Sequence, residues 1–164
     1  MVVIGKALGN GYPIAAVGGP AEIMDSEYFV SSTYAGEISS LAAARAVIKT
    51  LRENPNYKME SLINEGLSFV ESFNSYASKL GFSIQSYGTR GVFTGNEISM
   101  ALFFQEACKA GIIFGKSFFV SFSHLKYLKQ TLLTCRDIIE KISSGKVKLE
   151  GRVPKSPFSL QVRG

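Results

Sequence analysis

The most constraining feature of this chain is a glycine-dense segment, GKALGNGYPIAAVGG, at residues 5–19. Glycine permits tight turns and close backbone approaches that other residues do not. The short apolar run Met1–Ile4 precedes the segment and predicts a strand buried on both faces, which Gly5 ends. Within the segment, Ile14–Val17 predicts a second short strand, and Ala21–Met24 predicts one helical turn after it. We therefore expect a buried strand that leads into a sharply bent turn.

Helical and strand patterns then alternate along the chain. Apolar residues that recur every three or four positions predict helices, and alternating or continuous apolar runs predict strands. The predicted helices cover residues 38–52, 56–80, 99–110 and 125–142, and the predicted strands cover residues 82–87, 91–95, 112–114 and 118–122. On the first helix, Ile38, Leu41, Ile48 and Leu51 are expected to form the inward face. This order predicts an α/β fold with helices layered against a small sheet.

A domain boundary is expected near Asn54 and Pro55, because the residue before a proline avoids helical geometry. It separates residues 1–55 from residues 56–164. The last stretch, residues 140–164, carries most of the formal net charge of +5. A basic tail of this kind can bind nucleic acid through its phosphates. We expect a solvated extended tail and no nucleic-acid binding, because the basic residues lack interleaved aromatics and a known motif.

Composition excludes several classes of protein. Hydrophobic residues at 46% and charged residues at 19% exclude a disordered chain. No apolar run is long enough to span a bilayer, and no signal peptide is evident. Cys108 and Cys135, both expected to face inward, cannot form a disulfide scaffold, so we expect a reduced, cytoplasmic protein. The single histidine, His124, is expected at a helix start capped by Ser123, and no metal site is predicted.

Lys6 is the first residue that could carry chemistry, because it follows a predicted buried strand directly and lies among glycines. Desolvation at a strand end can lower the pKa of an amine and make it nucleophilic. Such an amine can form an imine with a carbonyl compound or with pyridoxal phosphate. The alternatives are a lysine whose ammonium stays in water and a lysine that binds a phosphate. The spacing is not that of a P-loop, because Lys6 precedes the glycines.

The segment around Lys6 closely resembles the cofactor-lysine segment of class III, fold-type I, pyridoxal-phosphate-dependent aminotransferases. The glutamate-1-semialdehyde aminomutase branch is the most similar. This resemblance implies that Lys6 binds pyridoxal 5'-phosphate covalently and, once released, moves protons between substrate and cofactor. A second segment, SSTYAGEISSLAAARAVI, also resembles the family. It implies that Thr33, with Ser32 beside it, donates to the cofactor phosphate of a neighbouring subunit in a homodimer, as suits groups before a helix N-terminus.

The resemblance covers nearly the whole chain and implies its fold. Residues 1–55 would be the C-terminal remnant of the large cofactor-binding domain, and residues 56–164 the small C-terminal α/β domain with a basic tail. The implied activity is amino-group transfer on a small amine or carbonyl substrate. In the family, the acidic partner of the pyridine nitrogen and the main phosphate loop precede the lysine. The chain thus looks like the C-terminal portion of a longer enzyme, and we expect it to be inactive alone.

Two further residues and two other functions stay open. Glu37-Ile38 replaces the Asn-Pro of many relatives, and Glu37 is expected to be a helix N-terminal carboxylate rather than a substrate contact. Arg90 lies in a Gly-Thr-Arg-Gly turn; we expect it to be exposed, although arginine can bind a substrate carboxylate. The alternative function is a non-catalytic module or pseudoenzyme that keeps the small domain for dimerisation or partner binding. Nucleic-acid binding by the basic tail is the weaker third reading.

Overall fold

The computed structural model describes residues 1–25 and 33–154, and the chain divides into two compact units, Met1–Met59 and Glu60–Gly164. In the first unit, strand β1 (Val2–Ile4) pairs antiparallel with strand β2 (Ala16–Gly18). The glycine-dense segment connects the two strands. The short helix α1 (Ala21–Met24) follows and confirms the helical turn predicted there.

Strand β1 is not buried, which corrects the expectation of a strand covered on both faces. Val2, Val3 and Ile4 are 60%, 67% and 52% exposed, and Val17 opposite Val3 is 53% exposed. Among the described residues, β2 is the only strand that pairs with β1. An apolar sequence favours burial, but a strand is buried only when other strands and helices cover its faces.

Helix α2 (Ile38–Glu53) ends where Asn54 precedes Pro55, and a 3₁₀ turn, Pro55–Tyr57, follows. Its buried residues are small, Ser40 and Ala44, and the helix contacts the 3₁₀ turn Lys6–Leu8. The predicted inward face was wrong, because the four apolar residues expected there are exposed: Ile38, Leu41, Ile48 and Leu51. Small side chains let a helix approach a neighbouring backbone closely. In α2, the small residues rather than the large apolar ones are therefore the buried positions.

The second unit combines three helices with a three-stranded antiparallel sheet. Helix α3 (Met59–Ala77) continues through a 3₁₀ turn to Gly81, whose φ of +75° makes it the left-handed end predicted there. The remaining elements are β3 (Phe82–Tyr87), β4 (Arg90–Gly95), α4 (Glu97–Lys109), β5 (Ser117–Phe119) and α5 (Leu125–Ser143). The order of the strands in the sheet is β3-β4-β5.

The core of the second unit is built from phenylalanines. Phe73 of α3, Phe93 of β4 and Phe103 of α4 are fully buried. Their ring centroids lie 5.7 Å apart for Phe73 and Phe93, 5.3 Å for Phe73 and Phe103, and 5.8 Å for Phe93 and Phe103. Cys135 and Ile139 of α5 complete this layer. Aromatic pairs at these separations add to the stability that burial gives.

Three local predictions need correction. Residues 112–114 are irregular rather than a strand, because the Ile112 N–H donates to the Ala107 carbonyl (2.8 Å) in the turn that ends α4. Ser123 does not cap α5, because it lies inside a 3₁₀ turn, Phe122–His124, that leads into the helix; Ser121 caps that turn, and the Ser121 N–H donates to His124 Nδ1 (3.1 Å). Cys108 is exposed, one position beyond the buried Ala107, whereas Cys135 is buried as expected.

In the described ranges, no helix combines the length and the apolar character needed to cross a membrane.

Candidate functional site

Lys6 lies in a tight turn directly after β1, and its backbone conformation is unusual. Its φ is +50°, in the left-handed region that side-chain-bearing residues rarely adopt. The turn is closed by the Leu8 N–H, which donates to the Gly5 carbonyl (3.2 Å), and by the Asn10 N–H, which donates to the Lys6 carbonyl (3.1 Å). Strained residues of this kind concentrate at functional sites, so the geometry singles out Lys6 independently of its chemistry.

The lysine side chain itself is exposed. The desolvation expected at the end of a buried strand is therefore not provided by the described residues. What the turn does provide is direction, because a closed turn fixes the Cα–Cβ bond from which the amine extends.

Gly9 explains why the turn needs glycine. A Cβ at this position would lie 2.3 Å from the Tyr12 carbonyl oxygen and 2.7 Å from Ile14 Cγ2. The φ of Gly9 is −95°, so close approach rather than a left-handed backbone is the reason. The Tyr12 N–H in turn donates to the Gly9 carbonyl (3.2 Å). The chain after Lys6 therefore folds back on itself over a glycine that cannot carry a side chain.

Thr33 begins a second turn, which leads into α2, and its side chain is exposed. Ser32, predicted beside it in the phosphate site, lies outside the described residues. The turn is closed by the Glu37 N–H, which donates to the Tyr34 carbonyl (3.2 Å), and Gly36 adopts a φ of +78° within it. Thr33 thus lies four residues before Glu37, the residue that precedes α2, and α2 contacts the Lys6 turn.

Glu37 caps α2 with its own side chain. Glu37 Oε1 accepts from the Ser39 N–H and Oε2 accepts from the Ser40 N–H, both at 2.7 Å. Hydrogen bonding from Ser40, followed by that from Ser39, lowers the pKa of Glu37 from 4.5 to about 2. A carboxylate at a helix N-terminus is also favoured by the helix dipole. The expectation that Glu37 is a helix N-terminal carboxylate is confirmed.

The other singled-out residues lie in the second unit. Arg90 is exposed at the start of β4, and its guanidinium lies 5.9 Å from the ring centroid of Phe119 on β5. His124 Nδ1 accepts from the Ser121 N–H within the cap of the 3₁₀ turn that precedes α5. Over the described ranges, no group of three histidine, cysteine or acidic residues could hold a metal ion.

The second unit also contains an apolar hollow of about 160 Å³, bordered by β5 and α5. Phe69, Phe114, Phe118 and Leu128 are among its lining residues, with His124 and Thr131. A hollow of this size and character suits a small apolar group rather than a phosphate, because it lacks a set of convergent anion donors. It therefore does not compete with the Lys6 and Thr33 turns as a phosphate site.

A polar cluster that the sequence did not reveal surrounds Glu106, which is only 5% exposed. Lys141 Nζ donates to Glu106 Oε2, and Lys109 Nζ donates to Oε1 at 3.0 Å. Hydrogen bonding from Lys141, then from Lys109 and Gln105, lowers the pKa of Glu106 to about 2. Lys141 lies 35 residues from Glu106, so this partner gives no local sequence signal and could be found only from the fold.

The same region holds the segment after α5 against α4. Gln105 Nε2 donates to the Lys148 carbonyl (3.0 Å), and the Glu150 N–H donates to Gln105 Oε1 (2.7 Å). The side-chain amide of Gln105 thus donates to one backbone group and accepts from another, in the way that a neighbouring strand pairs with a main chain. This contact is structural, and it lies in the second unit rather than with Lys6.

Comparison with known proteins links the chain to one family. The sequence model of the family described as "Aminotransferase class-III" matches residues 1–142. The chain is 35% identical over 98 residues to the glutamate-1-semialdehyde 2,1-aminomutase of Nitrosopumilus maritimus, covering 57% of this chain and 23% of that protein. It is 25% identical over 170 residues to the enzyme of the same name from Thermosipho melanesiensis, covering 90% of this chain and 40% of that protein.

A solved structure shows the same fold. The FumI protein of Sphingopyxis sp. MTA144, in its PLP internal aldimine form, matches with a TM-score of 0.70 at 19% identity. The match covers 90% of this chain and 38% of that one. The mixed α/β fold described above therefore corresponds to part of that structure. The chain spans less than half the length of each of these relatives.

Proposed function

Because the chain belongs to the class-III aminotransferase family, we propose that it carries the lysine of a pyridoxal-phosphate-dependent aminotransferase or 2,1-aminomutase. The observation that supports this most directly is the backbone of Lys6, which adopts a φ of +50° in a closed turn after β1. A primary amine held in this way suits an aldehyde cofactor, because the turn limits the directions in which the amine can reach.

The chemistry of the donors supports pyridoxal 5'-phosphate as the cofactor. Lys6 offers the amine for the cofactor of its own subunit, and the exposed Thr33 offers a hydroxyl for the phosphate of the cofactor that a partner subunit would hold. Once bound, the cofactor would supply the electron sink that amino-group transfer requires. Lys6 Nζ would hold the cofactor in place and, when free, would accept and return the proton that moves during transfer.

The finer parts of this proposal concern subunits and substrate. We propose that Thr33, with Ser32, grips the phosphate across a homodimer interface and that the substrate is a small amine or carbonyl compound. Lys6 and one phosphate donor are only part of the groups that such catalysis needs. We therefore expect the chain alone to show no substantial turnover.

The test is covalent labelling. The chain, alone and joined to the N-terminal part of a class-III aminotransferase, is mixed with pyridoxal 5'-phosphate, reduced with borohydride and mapped by peptide mass spectrometry. We expect a cofactor adduct on the peptide that contains Lys6, lost in Lys6→Ala. Lys116→Ala is the matched control, because Lys116 also follows a glycine and is exposed. An adduct spread evenly over the lysines, or one that persists in Lys6→Ala, would refute the proposed role.

A non-catalytic role for the second unit remains the alternative function. The supporting observation is that this unit has its own phenylalanine core, built from α3, α4, α5 and one face of the sheet. Such a unit can fold without a cofactor. The two functions predict different results in one measurement. If the catalytic proposal holds, added pyridoxal 5'-phosphate raises the melting temperature of the wild-type chain but not that of Lys6→Ala. If the second unit is a non-catalytic module, the added cofactor changes neither melting temperature.

A further inference from the structure

We infer that strand β1 is a docking surface for the part of a class-III aminotransferase fold that this chain does not contain. The docked part adds a strand to the free edge of β1 and covers both of its faces. The inference rests on family membership and on the exposed strand, and it does not depend on the proposed role of Lys6.

Both faces of β1 are uncovered. Successive side chains of a strand point to opposite faces, so Val2 and Ile4 share one face and Val3 lies on the other. All three side chains are more than half exposed, and so is Val17, which lies opposite Val3 on β2. Removing these side chains from water requires cover on two sides, which is the arrangement that an α/β fold supplies with a helical layer on each face of its sheet.

Strand β1 also has a free edge. It pairs with β2 along one edge, and within residues 1–25 and 33–154 no strand pairs with the other. Strands that stay at a sheet edge are usually blunted by charged residues or proline. β1 consists of two valines and an isoleucine, whereas β2 ends at Gly18 and is followed by Gly19 and Pro20. β1 therefore has the composition of a central strand, and a strand added at its free edge would pair its open backbone groups.

The exposed apolar side chains are concentrated in the unit that contains β1. The first unit is the smaller of the two, yet it holds most of the large apolar residues that the structure leaves exposed over the described ranges. Extensive apolar exposure of this kind is typical of an interaction surface rather than of a free one. The first unit, and not the second, is therefore the part of the chain that calls for a partner.

The length of the relatives favours one occupant over the others. This chain covers 38% of the FumI chain and 40% of the Thermosipho melanesiensis enzyme, so more than half of each relative lies outside the match. A part of that length can hold further strands and two covering layers. A second copy of this chain is a poorer occupant, because pairing two such ribbons extends the sheet but leaves its faces open.

The experiment measures amide hydrogen exchange of the peptide that contains β1, in the absence of cofactor. The full chain is measured alone and joined to the N-terminal part of the Thermosipho melanesiensis enzyme that lies outside the match. We expect exchange in the β1 peptide to slow about tenfold or more in the joined chain, because strand pairing and cover protect its amides. Equal exchange in the two forms would overturn the inference.

Two substitutions separate docking at β1 from a general effect of joining the chains. Val3→Asp places a charge where cover is expected, and it should restore fast exchange of the β1 peptide in the joined chain. Ile113→Asp makes the same change at an exposed residue of the second unit, and it should leave that peptide protected. If Val3→Asp also disrupts pairing with β2 in the chain alone, the nearly isosteric Val3→Thr replaces it. Protection that survives both Val3 variants would contradict docking at this strand.

Sedimentation of the chain alone tests the competing occupant. We expect no protection of β1 that rises with protein concentration. A dimer that protects the β1 peptide and is lost in Val3→Asp would make a second copy the occupant and would overturn the inference. Lys6→Ala should keep the protection of β1 in the joined chain, so a failure of the labelling test and a failure here are distinct results.

Discussion

At the scale of single residues, the most informative feature is the left-handed backbone of Lys6. Outside glycine, Lys6 and Asn10 are the residues with positive φ in the described part of the chain, and both belong to the same turn. An L-residue in this conformation costs about 1–2 kcal/mol relative to the right-handed form. Glycine would avoid this cost, so a lysine at this position indicates that the amine rather than local stability determines the residue.

This reasoning predicts that Lys6→Gly is more stable than Lys6→Ala. Alanine keeps the strained conformation, whereas glycine relieves it. Glycine also has more conformational freedom in the unfolded chain, which offsets part of this gain. We therefore expect the free energy of unfolding of Lys6→Gly to exceed that of Lys6→Ala by about 0.5–1 kcal/mol. Amide hydrogen exchange at Leu8 and Gly9, together with urea denaturation, measures the difference.

The matched control is Ala7→Gly, in the same turn. The φ of Ala7 is not positive, so glycine gains nothing there and should destabilise the turn. Equal stability of Lys6→Gly and Lys6→Ala would show that the backbone of Lys6 is not strained in solution.

At the scale of elements, the β3–β4 hairpin is anchored where its ends meet. Gly95 pairs with Phe82, and its φ is +115°. A Cβ at Gly95 would lie 2.4 Å from the Gly81 carbonyl oxygen and 2.7 Å from Phe82 Cα. That carbonyl also accepts from the Asn96 N–H (2.9 Å), so the crowded atoms are backbone atoms that cannot move aside easily.

We therefore predict that Gly95→Ala destabilises the second unit by more than about 2 kcal/mol, through both strain and overpacking. Gly88→Ala is the control: Gly88 also has a positive φ, +63°, but nothing lies within 4 Å of its would-be Cβ. It should cost about 1–2 kcal/mol, the price of a left-handed L-residue alone. Urea denaturation followed by circular dichroism compares the two, and equal losses would contradict the steric argument.

Elements whose pattern is local could be predicted from the sequence, and elements that depend on distant partners could not. The alternation at residues 82–87 predicted β3 with its observed bounds, and Glu37 before an alanine-rich stretch predicted the capping carboxylate. By contrast, the apolar residues 112–114 pair with no strand within residues 1–25 and 33–154, although their composition suggests a strand. The buried side of α2 was missed because small residues rather than large ones face its neighbour.

At the site, the sequence singled out the residues but not their conformation. Lys6 and Thr33 were recognisable from the glycine pattern and the family resemblance. The positive φ of Lys6 follows from how the turn closes at Asn10, which no local pattern reports. The exposure of the amine was also not foreseeable, because it depends on which elements cover β1. Their roles in catalysis and cofactor binding remain proposals.

At the scale of the whole molecule, buried apolar side chains are distributed unevenly. Among the described residues, those classed as buried and hydrophobic all belong to the second unit except Ala44. Because apolar burial is the main source of stability, the two units differ in how strongly their structure is held.

We predict that hydrogen exchange of the full chain is slowest in α3, α4, α5, β3 and β4 and fastest in β1 and β2. The first set surrounds the fully buried phenylalanines, whereas the second set forms an exposed two-stranded ribbon, which is marginal in water on its own. Mass spectrometry of exchanged peptides measures this directly. Protection of β1 equal to that of β3 would contradict the prediction.

The outer side chains of α2 have a mechanical consequence. Leu41 and Ile48 are uncovered on a helix that also supports the turn of Lys6 and begins at the Glu37 cap. The hydrogen bonds of a helix join its residues, so its two faces move largely together. A neighbour that packs on Leu41 and Ile48 would therefore also restrain the turn that carries Lys6, and the direction of the amine would depend on what covers this helix.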